Sequence, residues 1–146
     1  MFENLFQLVK NNAGTAVIGN PEIPVKYHEA ILHEASSCII DVLKGQMESG
    51  KLRDLVKYFQ YPEIYKNPLV TSVVNKFATR LNKYYGIDPI SSLKIANSLM
   101  KPTMLDLIRQ TRNEQNKEFA LSSFLSRING NRADLTGIVN DMMVAV

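Results

Sequence analysis

The sequence lacks the features that most directly indicate a membrane, an export route or an oxidising compartment. It has a single cysteine, so an internal disulfide bond cannot form. No apolar run approaches the roughly 18 residues of a membrane span, and no basic and then apolar segment resembles a secretory signal. One unpaired thiol is typical of a reducing environment. These absences predict a soluble cytoplasmic protein with no membrane association.

Residues that commonly carry catalysis or bind metals are also scarce. The chain has two histidines and none of the fingerprints of serine hydrolases, zinc proteases, P-loop proteins or dinucleotide-binding enzymes. Glu29 and His33 have the i, i+4 spacing of one helical face. Zinc needs further ligands, and no second His/Cys pair completes a set, so an exposed Glu29–His33 pair is the favoured interpretation. We predict no metal, no cofactor and no catalytic residue, and favour a non-enzyme over an enzyme.

What the sequence does contain is typical of one globular, helical domain. The chain has 146 residues, of which 45% are hydrophobic and 21% charged, and a chain of this size can bury a substantial core. Apolar residues recur at the i, i+3, i+4, i+7 spacing of amphipathic helices, and no segment alternates as a strand does. We predict an all-α fold: a compact single domain over residues 1–146, with about seven to eight helices around a long helix at 24–47.

The long helix at 24–47 has an apolar arc too wide for packing on one flat surface. Such an arc predicts neighbours on two or more sides. His28 and Cys38 project onto it, which predicts a histidine hydrogen-bonded to a neighbour and a buried, unreactive thiol. Gly45 also projects onto the arc, and two interpretations stay open. Either the glycine lets a neighbour come close, or the helix ends near it.

Proline and glycine divide the rest of the chain into shorter helices. Asn67-Pro68 and Asp88-Pro89 are predicted starts, because a capping side chain precedes a proline in the first turn. Gly86 is a predicted stop. Further expectations are a tyrosine-rich loop at 61–67, inward side chains at Leu93, Ala96, Leu99 and Met100, a polar loop at 113–118 and a cap for the last helix at Asp134.

The positive charge is concentrated in the middle of the chain. The net charge is −3 over residues 1–50, +7 over residues 51–112 and −1 over residues 113–146. A basic middle is typical of a protein with an anionic partner. It is equally typical of a fold in which acidic ends pack over the middle and offset its charge.

The basic middle contains a candidate nucleic-acid contact. Three cations follow i, i+4, i+7 on the helix from Pro68, and the next segment resembles a helix-turn-helix with a break at Lys101-Pro102. Asp106 and the shortness of that break argue against this motif, so a solvated basic face is the favoured alternative. The candidate contacts are Lys76, Arg80, Lys83, Lys101, Arg109 and Arg112.

Three functions remain open on the sequence alone. The favoured one is a non-enzymatic cytoplasmic interaction or structural protein, with self-association as one form of interaction. Its candidate docking segments are the C-terminal MMVAV and the tyrosine-rich stretch 58–65. The second is nucleic-acid binding through the basic segment 51–112. The third is a small-ligand binder or enzyme with a pocket lined by Tyr27, His28 and Cys38.

Six short pieces of the sequence carry a family resemblance through their order. They are MFENLFQLVKNNAG, Asn20-Pro21-x-Ile23-Pro24, EA…KGQMESGKLRDL, Asn67-Pro68-Leu69-Val70, Gly86-Ile87-Asp88, and Ala96-Asn97-Ser98-Leu99 followed by Pro102. In these pieces the chain resembles the YidB-like family of small bacterial helical proteins of unknown function. The resemblance covers most of residues 1–128 and implies an all-helical fold, but it carries no catalytic or binding residue. The family pattern has paired glycines after the helix at 52–59 and in the tail, where this chain has Tyr61-Pro62-Glu63 and a predicted final helix.

Overall fold

The structure, a computed structural model, describes residues 2–60, 67–112, 120–130 and 135–144. Within these ranges it contains helices and turns and no strand, which confirms the predicted all-α fold. One turn of π-helix covers Gly14–Ile18, and one turn of 3-10 helix covers Val25–Tyr27. The α-helices are α1 Phe2–Asn11, α2 His28–Glu48, α3 Leu52–Gln60, α4 Pro68–Tyr85, α5 Pro89–Arg112, α6 Leu121–Ile128 and α7 Thr136–Val144.

Helix α2 lies at the centre of the fold, as was predicted for the long helix at 24–47. The predicted start at Pro24 was wrong, because a 3-10 turn at Val25–Tyr27 precedes α2, which begins at His28. It contacts α1, α3, α4 and α6, and side chains such as Ile31, Ile39 and Leu43 are fully buried along it. Its wide apolar arc is therefore covered from several sides. Helices α4 and α5 make the most extensive helix pair, joined by the short turn at residues 86–88. One continuous hydrophobic core links all these elements.

The ends of the central helices follow the capping chemistry of their sequence. The Asn67 side-chain oxygen accepts a hydrogen bond of 3.0 Å from the Leu69 N–H, and Pro68 occupies the first turn of α4. Gly86 closes α4 with φ of 66°, a left-handed conformation that a glycine adopts without strain. Both predictions are confirmed, and they fix the direction in which the chain turns from α4 into α5.

Pro102 does not interrupt the helix, contrary to the prediction. Helix α5 runs unbroken from Pro89 to Arg112 with Pro102 inside it. Buried residues on both sides, including Leu99 and Met104, hold the helix against the core, and this packing offsets the roughly 3 kcal/mol that an internal proline costs. The predicted break at Lys101-Pro102 was wrong, so this segment is not a helix-turn-helix.

One interpretation of Gly45 and the predicted orientation of Leu93 were also wrong. A Cβ atom placed on Gly45 would meet nothing within 4 Å outside the backbone of its own helix, so no neighbour comes close there. Helix α2 ends at Glu48, within one turn of Gly45, which agrees with the other interpretation. Leu93 is not inward but 44% exposed, because Ser92, Ile95 and Ala96 form the inner face at that level of α5.

Several predictions fall outside the described residues. These are most of the tyrosine-rich loop at 61–67, the polar loop at 113–118, the cap at Asp134 and the last two residues of the C-terminal MMVAV. Among the helices that the structure describes, none combines the length and apolar character needed to cross a bilayer.

Candidate docking surface

The two histidines occupy different surroundings at the start of α2. His28 is half-buried, and its Nε2 lies 3.1 Å from the carbonyl oxygen of Ile23, which confirms the predicted hydrogen-bonded histidine. His33 is exposed, with Nε2 3.9 Å from Glu29 Oε1, and its ring stacks on Phe6 at a centroid distance of 4.1 Å. In the described ranges no cluster of three or more His, Cys, Asp or Glu residues has the geometry of a metal site.

Cys38 is fully buried in the core, as predicted from its place on the apolar arc. Burial raises the pKa of its thiol to about 12, so the nucleophilic thiolate is suppressed. Tyr27 is exposed and lines a surface cleft to which neither His28 nor Cys38 contributes. The structure thus does not bring Tyr27, His28 and Cys38 into one pocket.

The six candidate nucleic-acid contacts lie on two helices. On α4, Lys76 is half-buried and Lys83 is exposed; on α5, Lys101 is half-buried, and Arg109 and Arg112 are exposed. Arg109 lies 4.0 Å from the Asp106 carboxylate, and Arg112 donates a hydrogen bond to the Gln60 carbonyl oxygen. Nucleic-acid binding stays a prediction. Retention on a nucleic-acid column at low salt, weakened in a Lys76→Ala/Lys83→Ala variant, is the measurement that tests it.

Arg80 differs from the other five because it faces the interior of the fold. Its guanidinium donates to Glu34 Oε1 at 3.0 Å and to Asp41 Oδ2 at 2.6 Å, both on α2. Partial burial opposes its charge, but the hydrogen bond to Asp41 and the nearby carboxylates raise the pKa of Arg80 above its ordinary value. At this contact Glu34 and Asp41, from the acidic first third of the chain, neutralise Arg80 of the basic middle. Such folding of an acidic end over the middle was one of the two interpretations of the charge distribution.

The sequence-based prediction missed a group of exposed apolar side chains just before α2 and around the turn between α4 and α5. We define the apolar end as Val25, Tyr27, Tyr84, Ile90 and Leu93. Val25 is 81% exposed, Ile90 83% and Tyr84 61%; one such side chain is ordinary, and the grouping of several is the informative feature. Elsewhere in the described ranges the large exposed hydrophobic side chains are few: Ile18, Ile138 and Met143.

Two distant stretches of sequence meet at the apolar end. The Tyr27 and Tyr85 rings lie edge to face at a centroid distance of 5.7 Å. Beside them is a cleft of about 390 Å³, which we call the tyrosine cleft. It is lined by Glu22, Pro24, Tyr27 and Ile31 from one stretch and by Tyr85, Gly86, Ile87 and Asp88 from the other.

No family model, curated protein or solved structure matches this chain.

The backbone at the apolar end is held in place by local hydrogen bonds. The Ile87 carbonyl oxygen accepts from Asn82 Nδ2 at 2.8 Å and from Ser92 Oγ at 3.0 Å, which ties the turn to both helices. The Asp88 carboxylate accepts from the Ser91 N–H at 3.0 Å and caps α5. These bonds hold the exposed apolar groups on a preformed scaffold, so a partner would not need to order them.

Charges of both signs surround the apolar end. The Lys26 amine lies 5.0 Å from the Tyr27 ring centroid, and the Lys83 amine lies 5.7 Å from that of Tyr84. Glu22 and Asp88 line the tyrosine cleft. The arrangement has an apolar centre and a mixed-charge rim, which is the usual anatomy of a protein–protein interface.

A second cleft, of about 460 Å³, lies between α1 and α2. Glu3, Phe6, His33, Ser36 and Ser37 are among its lining residues. The Ser36 hydroxyl donates to the Leu32 carbonyl oxygen and the His33 ring is stacked on Phe6, so these two side chains do not form a nucleophile–base pair. The apolar end is therefore the better candidate for a functional surface.

The two docking segments that the sequence suggested are less prominent. Tyr58 is half-buried and Phe59 is buried, while residues 61–65 lie outside the described ranges. In the C-terminal stretch Met142 is half-buried and Met143 is 36% exposed. The one sequence signal for the apolar end was the presence of large apolar residues beside helix-starting prolines, at Val25 and Ile90.

Proposed function

We propose that this chain is a non-enzymatic interaction protein of the cytoplasm that docks another polypeptide through its apolar end. The observation that carries the proposal is the exposure of Val25 and Ile90, at 81% and 83%, beside the tyrosine cleft. A folded domain that leaves such side chains in water forgoes their burial, which is worth about 1.5–3 kcal/mol for each one. A surface that gains this energy on binding accounts for their placement.

The extent of the apolar end supports the same conclusion. A fully exposed tyrosine presents about 150–250 Å², and a valine, isoleucine or leucine about 60–120 Å². The five side chains of the apolar end together then present roughly 300–500 Å² to solvent. The largest exposed apolar patch of a typical monomer has this size and is often functional.

The cytoplasmic location and the YidB-like resemblance remain parts of the proposal. A single cysteine, buried and unable to pair within the chain, supports a reducing compartment. The all-helical architecture agrees with what the resemblance implies for the fold. The interaction role is proposed from the surface of this chain and does not depend on the family assignment.

Site-specific photo-crosslinking in the native cells tests the proposed function. A benzoylphenylalanine residue is placed at Ile90 and, as a matched control, at Ile138, an exposed apolar position on α7 that is 51% accessible. We expect an adduct of defined mass from position 90 and little from position 138. Equal labelling at both positions, or none at position 90, would contradict the docking role.

A further inference from the structure

The two most exposed apolar side chains, Val25 and Ile90, lie within two residues in the chain of residues that line the tyrosine cleft. We infer that the polypeptide docked on the apolar end is a second copy of this chain, related to the first by a two-fold axis. This inference rests on the proposed function and names its partner. Three properties of the apolar end support a self-complementary contact: the position of its protruding side chains, its balance of charge and its area.

Protruding side chains and a receiving cleft lie next to each other. Val25 is adjacent in sequence to Pro24, which lines the cleft, and Ile90 is two residues beyond Asp88, which also lines it. In a two-fold contact residue i of one copy meets residue j of the other, and j meets i. An axis between protrusion and cleft therefore seats Ile90 or Val25 of each copy in the tyrosine cleft of its partner.

The charges around the cleft favour a partner with both signs. Glu22 and Asp88 are exposed at the cleft, and the exposed Lys26 and Lys83 lie over the tyrosine rings of the apolar end. A two-fold contact can place each acidic group of one copy near a basic group of the other. Nucleic acid and anionic lipid surfaces would instead meet Glu22 and Asp88 as like charges.

The area is that of a weak, reversible homodimer. The apolar side chains present roughly 300–500 Å² on each copy. A two-fold contact between them buries roughly 600–1,000 Å² in total, which is at the low end of specific interfaces. The preformed backbone of the turn at residues 86–88 limits the ordering that association requires.

Sedimentation equilibrium of the purified full chain, from about 1 μM to about 1 mM, tests the inference over the range of moderate affinities. We expect a monomer–dimer equilibrium. Ile90→Glu and Val25→Glu should each weaken dimerisation by at least about tenfold, as for substitutions at an interface centre. Ile138→Glu is the matched control and should leave the dissociation constant unchanged. Far-UV circular dichroism verifies that every variant is folded. Ile90→Glu and Val25→Glu change different residues, so each tests the contact separately.

Cross-linking of mixed isotopes locates the contact. A 1:1 mixture of ¹⁴N- and ¹⁵N-labelled chains is treated with an amine-reactive reagent, so that mixed-isotope peptides report contacts between copies. We expect such peptides among Lys26, Lys83 and Lys94, which surround the apolar end. A dimer with links only elsewhere, or one unaffected by Ile90→Glu and Val25→Glu, would overturn the inference.

Failure of the inference can be distinguished from failure of the proposed function. A chain that stays monomeric to about 1 mM, yet gives a position-90 adduct with a different protein in cells, overturns self-association and retains the docking role. A chain that stays monomeric and gives no adduct at position 90 overturns both self-association and the docking role. A dimer sensitive to Ile90→Glu, with the position-90 adduct at twice the chain mass, supports both.

Discussion

At the scale of single residues, two nearby glycines show how backbone conformation decides the effect of one methyl group. Gly45 lies inside α2 with open space around its Cβ position, and no left-handed backbone angle requires a glycine there. Alanine restricts the unfolded chain more than glycine does and has a higher helix propensity. We expect Gly45→Ala to raise the free energy of unfolding by about 0.5–1 kcal/mol, measured by urea denaturation.

Gly50 provides the matched control for this substitution. It has φ of 73°, and the hydrogen bonds from Gly50 N–H to the Met47 oxygen and from Lys51 N–H to the Gln46 oxygen close the C-terminus of α2. An alanine there is strained, so Gly50→Ala should lower stability by about 1 kcal/mol. Effects of the same sign at both positions would contradict this account.

Arg80 stabilises the contact between α2 and α4 by bonding two carboxylates at once. Arg80→Met keeps the apolar stem but leaves Glu34 and Asp41 without their common cation. Because the Arg80 side chain is 19% exposed and the carboxylates are partly solvated, the expected loss is about 1–2 kcal/mol in the free energy of unfolding. Lys83→Met, on the exposed part of the same helix, should change stability by less than about 0.5 kcal/mol.

A double-mutant cycle distinguishes pairing from simple loss of volume. If the ion pairs account for the effect, Arg80→Met should lower the free energy of unfolding much less in a Glu34→Gln/Asp41→Asn background than in the original chain. An unchanged cost in that background would assign the effect to packing of the arginine stem instead. High salt should also reduce the difference in free energy of unfolding between the original chain and Arg80→Met, because screening weakens partly exposed ion pairs.

How far single residues were predictable depends on whether their surroundings are local. The burial of Cys38 and the hydrogen bond of His28 follow from angular position on one helix, and both were predicted. The partners of Arg80 are 46 and 39 residues away in sequence. Periodicity placed Arg80 in a basic stripe with Lys76 and Lys83, but only tertiary packing turns it towards α2.

At the scale of elements, the cap of α5 has a pH-dependent consequence. The backbone N–H and hydroxyl of Ser91 bond the Asp88 carboxylate and hold its pKa below the ordinary value. A lowered folded-state pKa means that the carboxylate stabilises the fold above its unfolded pKa, and that this contribution is lost as the pH falls through the folded pKa. Asp88→Ala should therefore lower Tm at pH 7, and the difference should shrink below about pH 4.

Asp88→Asn separates capping from charge in the same experiment. Asparagine caps helices about as well as aspartate, so this variant should keep most of the Tm at pH 7 and show a weaker pH dependence. A Tm difference between Asp88→Ala and the original chain that stays constant down to pH 2 would contradict the capping role.

The two prolines of α5 differ in their cost to the helix. Pro102 lies inside α5 and cannot donate a hydrogen bond to the Ser98 carbonyl oxygen four residues earlier. Pro102→Ala supplies that donor and removes the ring clash, at some cost in chain entropy and packing. We expect a net gain of about 1–2 kcal/mol in the free energy of unfolding. Pro89→Ala, in the first turn, should be neutral or slightly destabilising, and a loss on Pro102→Ala would contradict the argument.

Helix boundaries were predictable where local chemistry determines them. The asparagine cap before Pro68 and the glycine after Tyr85 act within a few residues, and the structure confirms both. Pro102 was misjudged because the local preference for a break is outweighed by core contacts of Leu99, Met104 and Leu107. Those contacts are made with other helices, and the pattern of one segment does not reveal their strength.

At the scale of the whole molecule, the apolar end could not be predicted because two distant stretches form it. Val25 and Tyr27 precede α2, while Tyr84 and Ile90 flank the turn between α4 and α5. Each residue alone fits a helix end, where exposed apolar groups are unremarkable. Only the Tyr27–Tyr85 contact and the tyrosine cleft bring them together into one candidate surface.

The reactivity of the Cys38 thiol can report how cooperatively the domain unfolds. Cys38 is the only cysteine, it is fully buried, and burial raises the pKa of its thiol to about 12. Cys38 belongs to the hydrophobic core that joins the helices, and α2, which carries it, contacts α1, α3, α4 and α6. Exposure of the thiol therefore requires those contacts to open together, and alkylation of Cys38 should report global unfolding.

Alkylation by iodoacetamide at about pH 8, where an exposed thiol is reactive, should be negligible in the native state and complete in the unfolded state. Across a urea series the modified fraction should follow the same midpoint as the loss of helical circular dichroism, since one core unfolds in one transition. Gly45→Ala should move both midpoints upward together, which links the local substitution to the global measurement. Rapid labelling in native buffer, or a labelling midpoint well below that of helix loss, would mean that α2 separates from its neighbours before the domain unfolds.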